Sequence, residues 1–301
     1  MNRLFSVFFV FFCLGTGILS YGQSTDLARI EYTYFPQSNS DNSFRRFRSF
    51  VNFPIKLNEK DAYLVPGIEY ENINLKYEDP ALFARNELER FQSFTFSLGY
   101  TFKINEKWRF GTNAGVKVAS NFERNDVIAD DLIYTGGVYF INTKEDDRYM
   151  EPVRLILGLH YSTTSGIPFP LPVINYYKRF QPNWAYAFGV PKTSLKYFIN
   201  EKNTIQGFTS LDGFFANVQN NFDVNPTNTS AKDIAENISM TILLAGIGYE
   251  HKITDNLSFF MYAGHTLINN IRLRDDELEK VYIINEANSF CGRGGLKFSI
   301  L

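Results

Sequence analysis

The sequence predicts an all-β chain closed into an antiparallel transmembrane β-barrel of about fourteen strands. Three observations predict it. From residue 23 onward, apolar and polar residues alternate with a period of two. Short polar turns take turns with longer connections. Rings crowd the apolar faces and strand ends: 30 Phe, 18 Tyr and 2 Trp make one residue in six of the 301 aromatic. Successive strand side chains point to opposite faces, so a period of two gives one apolar and one polar face.

The first residues are an address and not part of the fold. Arg3 precedes an uncharged run from Leu4 to Leu19, which closes on Ser20-Tyr21-Gly22 before Gln23. A basic start, an apolar centre and a small-residue cleavage site define a secretory signal peptide over residues 1–22. The run falls short of the ~20 apolar residues that span a bilayer. Residues 23–301 then form a single domain. Cleavage removes Cys13 and leaves Cys291 as the one cysteine, so neither a disulfide framework nor a paired-cysteine metal site is expected.

Strands follow in order, beginning with 27–35. Phe47, Val51, Phe53 and Ile55 alternate with Arg46, Arg48 and Phe50. Beyond a turn at 58–61, Leu64, Ile68 and Tyr70 alternate with Glu69 and Glu71. A two-residue loop at Glu59-Lys60 sets Arg48 opposite Glu71 and Val51 opposite Ile68, so charges meet on one face and apolar groups on the other. In 91–104, Phe94, Phe96, Leu98, Tyr100, Phe102 and Ile104 share a face against Ser93, Thr95, Ser97, Gly99, Thr101 and Lys103. A three-residue turn pairs Phe102 with Phe110 and leads into Trp108, Phe110, Ala114, Val116 and Val118, against Arg109, Gly111, Asn113, Gly115 and Lys117.

Further strands fit at 132–142, 152–164, 172–180, 184–190, 194–200, 204–218, 237–251, 257–268 and 289–300. The tight turn around Pro191 occupies a place where a long connection is expected. Were 184–200 an inward-folded hairpin, the count would fall to twelve. Short turns at 58–61, 105–107, 143–147, 181–183, 200–203 and 253–256 gather on one rim. Longer connections at 78–90, 121–131, 220–236 and 269–288 gather on the other. That asymmetry marks a barrel of the bacterial outer membrane with both ends in the periplasm. A soluble periplasmic β-sandwich is the competing architecture, because half-buried strands also alternate. The Phe-, Tyr- and Leu-rich faces and the rings at strand ends favour lipid and its boundaries.

The Gly295-Leu296-Lys297-Phe298-Ser299-Ile300 finish, with the signal peptide and the strand pattern, looks like Bacteroidota outer-membrane β-barrel families. The block Asn183-Trp184-Ala185-Tyr186-Ala187-Phe188-Gly189-Val190-Pro191, followed by Leu195-Lys196-Tyr197, resembles one uncharacterised family among them. The resemblance implies an outer-membrane location and an unassigned role, and carries no catalytic residues over.

Net charge is −2, from 30 basic and 32 acidic residues, which excludes nucleic-acid binding by bulk positive charge. No phosphate-cradling or dinucleotide fingerprint occurs, so no cofactor is expected. His251 and His265 read as rim or lumen residues. His160-Tyr161-Ser162 is the one arrangement with catalytic potential, since His160 and Ser162 share a strand face and could form a base–nucleophile pair. Outer-membrane phospholipases and lipid A deacylases place such a pair toward lipid, followed by Asn; here Thr163 follows.

The acidic pairs Asp130/Asp131 and Asp146/Asp147 and the run Asp275-Asp276-Glu277 lack a spaced cation-ligand pattern and read as solvated rim charges. Asn228-Thr229-Ser230 and Asn237-Ile238-Ser239 match a glycosylation pattern by chance. The Pro168–Pro172 run begins a stiff loop. The leading expectation is a non-enzymatic barrel, a narrow pore or transporter for small solutes, with Arg46, Arg48, Glu69, Glu71, Arg109 and Lys117 facing the lumen. Its expected partners are outer-membrane lipids and the barrel-assembly machinery. The second is a lipid hydrolase using His160 and Ser162; the third is the soluble sandwich.

Overall fold

A computed structural model describes residues 26–299 apart from 38–40, 58–60, 145–152, 164–169 and 228–232. The signal peptide, the Asp146/Asp147 pair, the Asn228 pattern, Leu301 and the Pro168-Phe169 end of the proline run lie outside these residues.

Sixteen strands form one antiparallel sheet: β1 (Asp26–Pro36), β2 (Ser43–Asn52), β3 (Ile55–Leu57), β4 (Ala62–Lys76), β5 (Arg90–Lys103), β6 (Trp108–Ser120), β7 (Leu132–Lys144), β8 (Val153–Ser162), β9 (Leu171–Gln181), β10 (Trp184–Val190), β11 (Lys192–Phe198), β12 (Asn203–Asp223), β13 (Ile234–Lys252), β14 (Leu257–Arg274), β15 (Lys280–Asn285) and β16 (Phe290–Ser299). Apart from the short β3 and the offshoot β15, each pairs with the next strand in sequence, and β1 pairs with β16 to close the ring. β2 and β3 are one wall strand interrupted at Phe53-Pro54, since both pair with β4. Proline lacks the N–H a ladder needs, so the break falls there. β15 is an offshoot paired only to the outer part of β14. The wall is therefore a closed barrel of fourteen strands.

Closure removes the sandwich reading. The twelve-strand count also fails, because β10 pairs with β9 and β11 pairs with β12, which puts both in the wall. The tight connection at Pro191 needs a glycine beside it. Gly189 has φ +151°, and a Cβ there would sit 1.9 Å from the Ile174 carbonyl oxygen. Arg48 pairs with Glu71, Val51 with Ile68 and Phe102 with Phe110, the registers that charge and apolar matching require.

Outward positions are apolar around the whole ring: Ile30, Phe94, Phe96, Tyr134, Leu159, Ile174, Phe188, Leu195, Ile247, Met261, Phe290 and Leu296 all stay exposed. A soluble monomer rarely exposes a contiguous apolar patch of more than a few hundred Å². A continuous girdle fits a hydrocarbon surrounding, where only closed sheets and helices satisfy every backbone group. No helix among the described residues is long and apolar enough to cross a membrane. His265 belongs to this outer face and not to the rim or lumen, edge-on to Phe290 with centroids 4.9 Å apart.

The inner face changes character along the barrel axis. Toward the rim that holds Asp26 and Ser299, here the terminal rim, inner positions are charged or polar. Toward the far rim they are apolar: Phe35, Phe44, Ile73, Leu75, Phe91, Phe214, Ile238, Met240, Ile242, Ile271 and Leu273 form one buried core inside the barrel. The uniformly polar inner face expected from alternation is thus confined to the terminal half. In β14 a bulge at Leu267, where the pairing slips, turns Asn269, Ile271 and Leu273 inward.

β12 explains how the far half is filled. Its lower part pairs with β11 as far as Ser210, but beyond Pro191 it has no neighbour on that side. It crosses instead to β6, where Asn217 and Ser120 form a parallel bridge. Five strands, β7 to β11, are bypassed, and the ring narrows to the nine strands that surround the apolar core.

Candidate functional site in the lumen

The bridge between β12 and β6 is held by a latch of side chains. Asn217 O accepts from Asn121 N at 3.3 Å and from Ser120 Oγ at 3.3 Å. Beneath the 121–131 connection, Asp131 is fully buried. Its carboxylate accepts from Asn217 Nδ2 at 2.8 Å, Gln219 Nε2 at 2.8 Å and Ile128 N at 3.0 Å. Asp131 is therefore a structural anion and not a solvated rim charge. Buried carboxylates persist only when donors surround them.

Below the apolar core lies a balanced ion cluster. Arg46 grips Asp212 with two bonds, Nη1–Oδ1 at 3.0 Å and Nη2–Oδ2 at 2.6 Å. Arg293 reaches Asp212 Oδ2 at 2.5 Å and donates to Thr33 Oγ1 at 3.0 Å. Arg48 pairs with Glu69 at 2.7 Å and Glu71 at 3.6 Å, while Lys117 meets Glu71 at 3.2 Å. Glu31 lies 3.9 Å from Arg48. Of the residues singled out from the sequence, Arg46, Arg48, Glu69, Glu71 and Lys117 come together here. Arg109 does not. It sits at the terminal rim, bonded to Asp61 Oδ2 at 2.5 Å and stacked 5.6 Å from the Tyr63 ring centroid. The structure adds Glu31, Asp212 and Arg293, supplied by strands distant in sequence.

Beside this cluster the lumen holds a cavity of about 240 Å³ lined by Val65, Ser97, Thr101, Arg109, Asn113, Tyr139, Ile141, Ile156, Val173 and Pro191. The wall around it carries buried polar atoms without partners: His160 Nε2, both amide atoms of Asn175 and Ser194 Oγ. His160 is buried on the inner face of β8, and its Nδ1 lies 3.2 Å from the Tyr139 hydroxyl. Ser162 shares that face by parity, and Tyr161 between them points outward, 40% exposed. The pair thus faces the lumen, the reverse of the lipid-facing arrangement that the hydrolase reading requires. His251 lies at the terminal rim, its Nδ1 2.8 Å from Asn203 Oδ1.

A closed antiparallel barrel with an apolar outer girdle and a charged lumen is the fold of outer-membrane β-barrels. The chain belongs to the family described as Domain of unknown function (DUF6268), whose model matches residues 24–297. No curated protein matches it. Among solved structures it is similar to a KdgM porin, at 9% identity and a TM-score of 0.36, covering 91% of this chain and 99% of that one. It is also similar to an outer membrane channel from Pseudomonas putida F1, at 10% identity and a TM-score of 0.42, covering 94% and 99%. LpxR from Salmonella typhimurium matches at 10% identity and a TM-score of 0.38, covering 91% and 100%. The architecture described above rests on this chain's own strand ladder.

Proposed function

We propose that this protein is a non-enzymatic outer-membrane barrel that holds a small solute in a luminal compartment and passes it only when the far half yields. The observation that supports this reading is the division of the lumen. The far half is filled by an apolar core and tied shut at Asp131, while the terminal half keeps a lined cavity. An open diffusion pore needs a continuous polar channel, and the apolar core interrupts it. The short-turn rim and both termini face the periplasm in this reading, as in bacterial barrels generally. Lipids of that membrane and the machinery that assembles its barrels are its partners.

Planar-bilayer recording tests the reading. The refolded protein, shown to be folded by heat-modifiable migration, gives no steady current. Asp131→Ala removes the acceptor that Asn217 Nδ2 and Gln219 Nε2 share, leaving Gln219 only the Asp126 carbonyl, and produces intermittent openings. Steady, wide conductance in the unaltered protein would rule out the closed compartment.

A further inference from the structure

The cavity in the terminal half has a chemistry of its own. Its walls are the inward side chains of Val65, Ile141, Ile156 and Val173, while Gly99 and Gly111 leave the β5–β6 side bare. Among the described residues that line it, only Arg109 carries charge. That guanidinium is already engaged at the rim, donating to the Asp61 carbonyl oxygen at 2.9 Å and to the Asp61 carboxylate at 2.5 Å. An ion entering this space would leave water and meet no free counter-charge among the described residues, which is costly. A neutral molecule with an apolar body meets no such penalty. At about 240 Å³ the space exceeds the ~150 Å³ that takes one benzene ring, so a single substituted ring fits.

The deeper end is polar. Asn113 lines the cavity four residues further along β6 than Arg109. Its neighbours directly across the ladder are Gly99 on β5 and Gly137 on β7, and neither has a side chain to offer. Asn113 Oδ1 is buried and accepts no hydrogen bond from any described residue. Gly137 is required there, because a Cβ would stand 2.8 Å from that oxygen and 2.5 Å from the Tyr139 hydroxyl. The Thr101 hydroxyl, also in the lining, donates to Phe110 O at 2.7 Å and does not serve it. A buried acceptor without a donor is unfavourable, and a ligand hydroxyl supplies the donor.

We propose that this cavity is a binding site for a neutral, single-ring solute that carries a hydroxyl group. The ring lies between Val65, Ile141, Ile156 and Val173, and the hydroxyl donates to Asn113 Oδ1. The inference deepens the compartment reading and rests on it only for the solute's role as cargo. Binding itself does not depend on conduction.

The test is calorimetric titration of the full chain, refolded in detergent, with three one-ring probes that differ in a single group: p-cresol, toluene and p-toluate. Uptake by the micelle is common to every variant and is read from Gly111→Leu. A Cβ at Gly111 meets nothing closer than 3.9 Å, so the wall accepts a side chain there and the leucine fills the cavity. The parent binds p-cresol saturably, toluene about fivefold more weakly, as loss of one neutral hydrogen bond predicts, and p-toluate not at all.

Asn113→Leu reverses the order of p-cresol and toluene. Gly111→Leu, shown to be folded by heat-modifiable migration, takes up p-cresol only in proportion to its concentration. Equal binding by Gly111→Leu and the parent, or no saturable binding by a folded parent, overturns the site. Tightest binding of toluene or p-toluate by the parent overturns the ligand class, and an unchanged order in Asn113→Leu overturns the role of Asn113. A silent barrel that binds none of the probes removes this site alone, whereas a steadily conducting barrel that binds p-cresol removes only the closed compartment.

Discussion

The two inner walls of the barrel are built on different rules. On the side formed by β1, β2, β4, β6, β12 and β16, cations and carboxylates alternate within bonding distance, and an apolar core continues above them. On the side formed by β8 to β11, β10 and β11 are only seven residues long, the inward residues of β10 (Ala185, Ala187 and Gly189) are small, and the buried polar groups of His160, Asn175 and Ser194 stand outside the ion-pair cluster. Opposite charges brought together without water hold a wall in place, because breaking one pair strands the other ion. The first side is therefore the scaffold, and the second adds less to it.

Substitutions can break this contrast or sharpen it. The largest effect belongs to Asp212→Ala, which leaves Arg46, 2% exposed, and Arg293 without their shared carboxylate. A loss of about 3–5 kcal/mol in urea-unfolding stability is expected. An unchanged midpoint would show that the cluster is not structural. Leu273→Ala, fully buried in the far core, follows with a loss of about 2–5 kcal/mol, read from the same transition. A cost well below that range would mean the far half collapses readily and is not packed as a protein interior. Ser194→Ala has the smallest effect, within about 0.5 kcal/mol and with either sign, since its hydroxyl has no bond to lose. A loss as large as that of Leu273→Ala would erase the distinction between the two walls.

Much of the wall was legible in the sequence. Alternation located all fourteen barrel strands, and matching of charges and rings set the β2–β4 and β5–β6 registers, because each is decided by neighbours across one turn. The filling of the far half was not legible. Ile73 and Leu75 continue the inward face of Glu69 and Glu71, and parity says which way a side chain points without saying what it meets there. The bulge at Leu267 reverses parity within β14, which a strict period of two cannot follow. β15 lay inside a stretch that read as a long connection, 269–288.

The crossing of β12 to β6 rests on residues about a hundred positions apart, with no local trace beyond the Asn217 and Gln219 amides. The charged cluster was half visible. Its members on β2, β4 and β6 stood out as charges on a polar face, while Glu31, Asp212 and Arg293 sat singly on other strands. The cavity carried a fainter signal. The β5–β6 register already sets Gly99 opposite Asn113, but Gly137 joins that row through β7, whose pairing no matching of charges or rings had fixed.

The low wall at β10 and β11 also bears on the membrane around it. Seven residues per strand, tilted as barrel strands are, rise only about 18 Å, against an apolar band of ~25 Å in such barrels. Immediately beyond β11, the strands β12, β13 and β14 run 18 to 21 residues. The molecule is thus lopsided in height, and lipid must thin against one flank while keeping its ordinary depth against the other. The bilayer is pinched beside the β10–β11 hairpin, and the headgroups of one leaflet are drawn toward its tip.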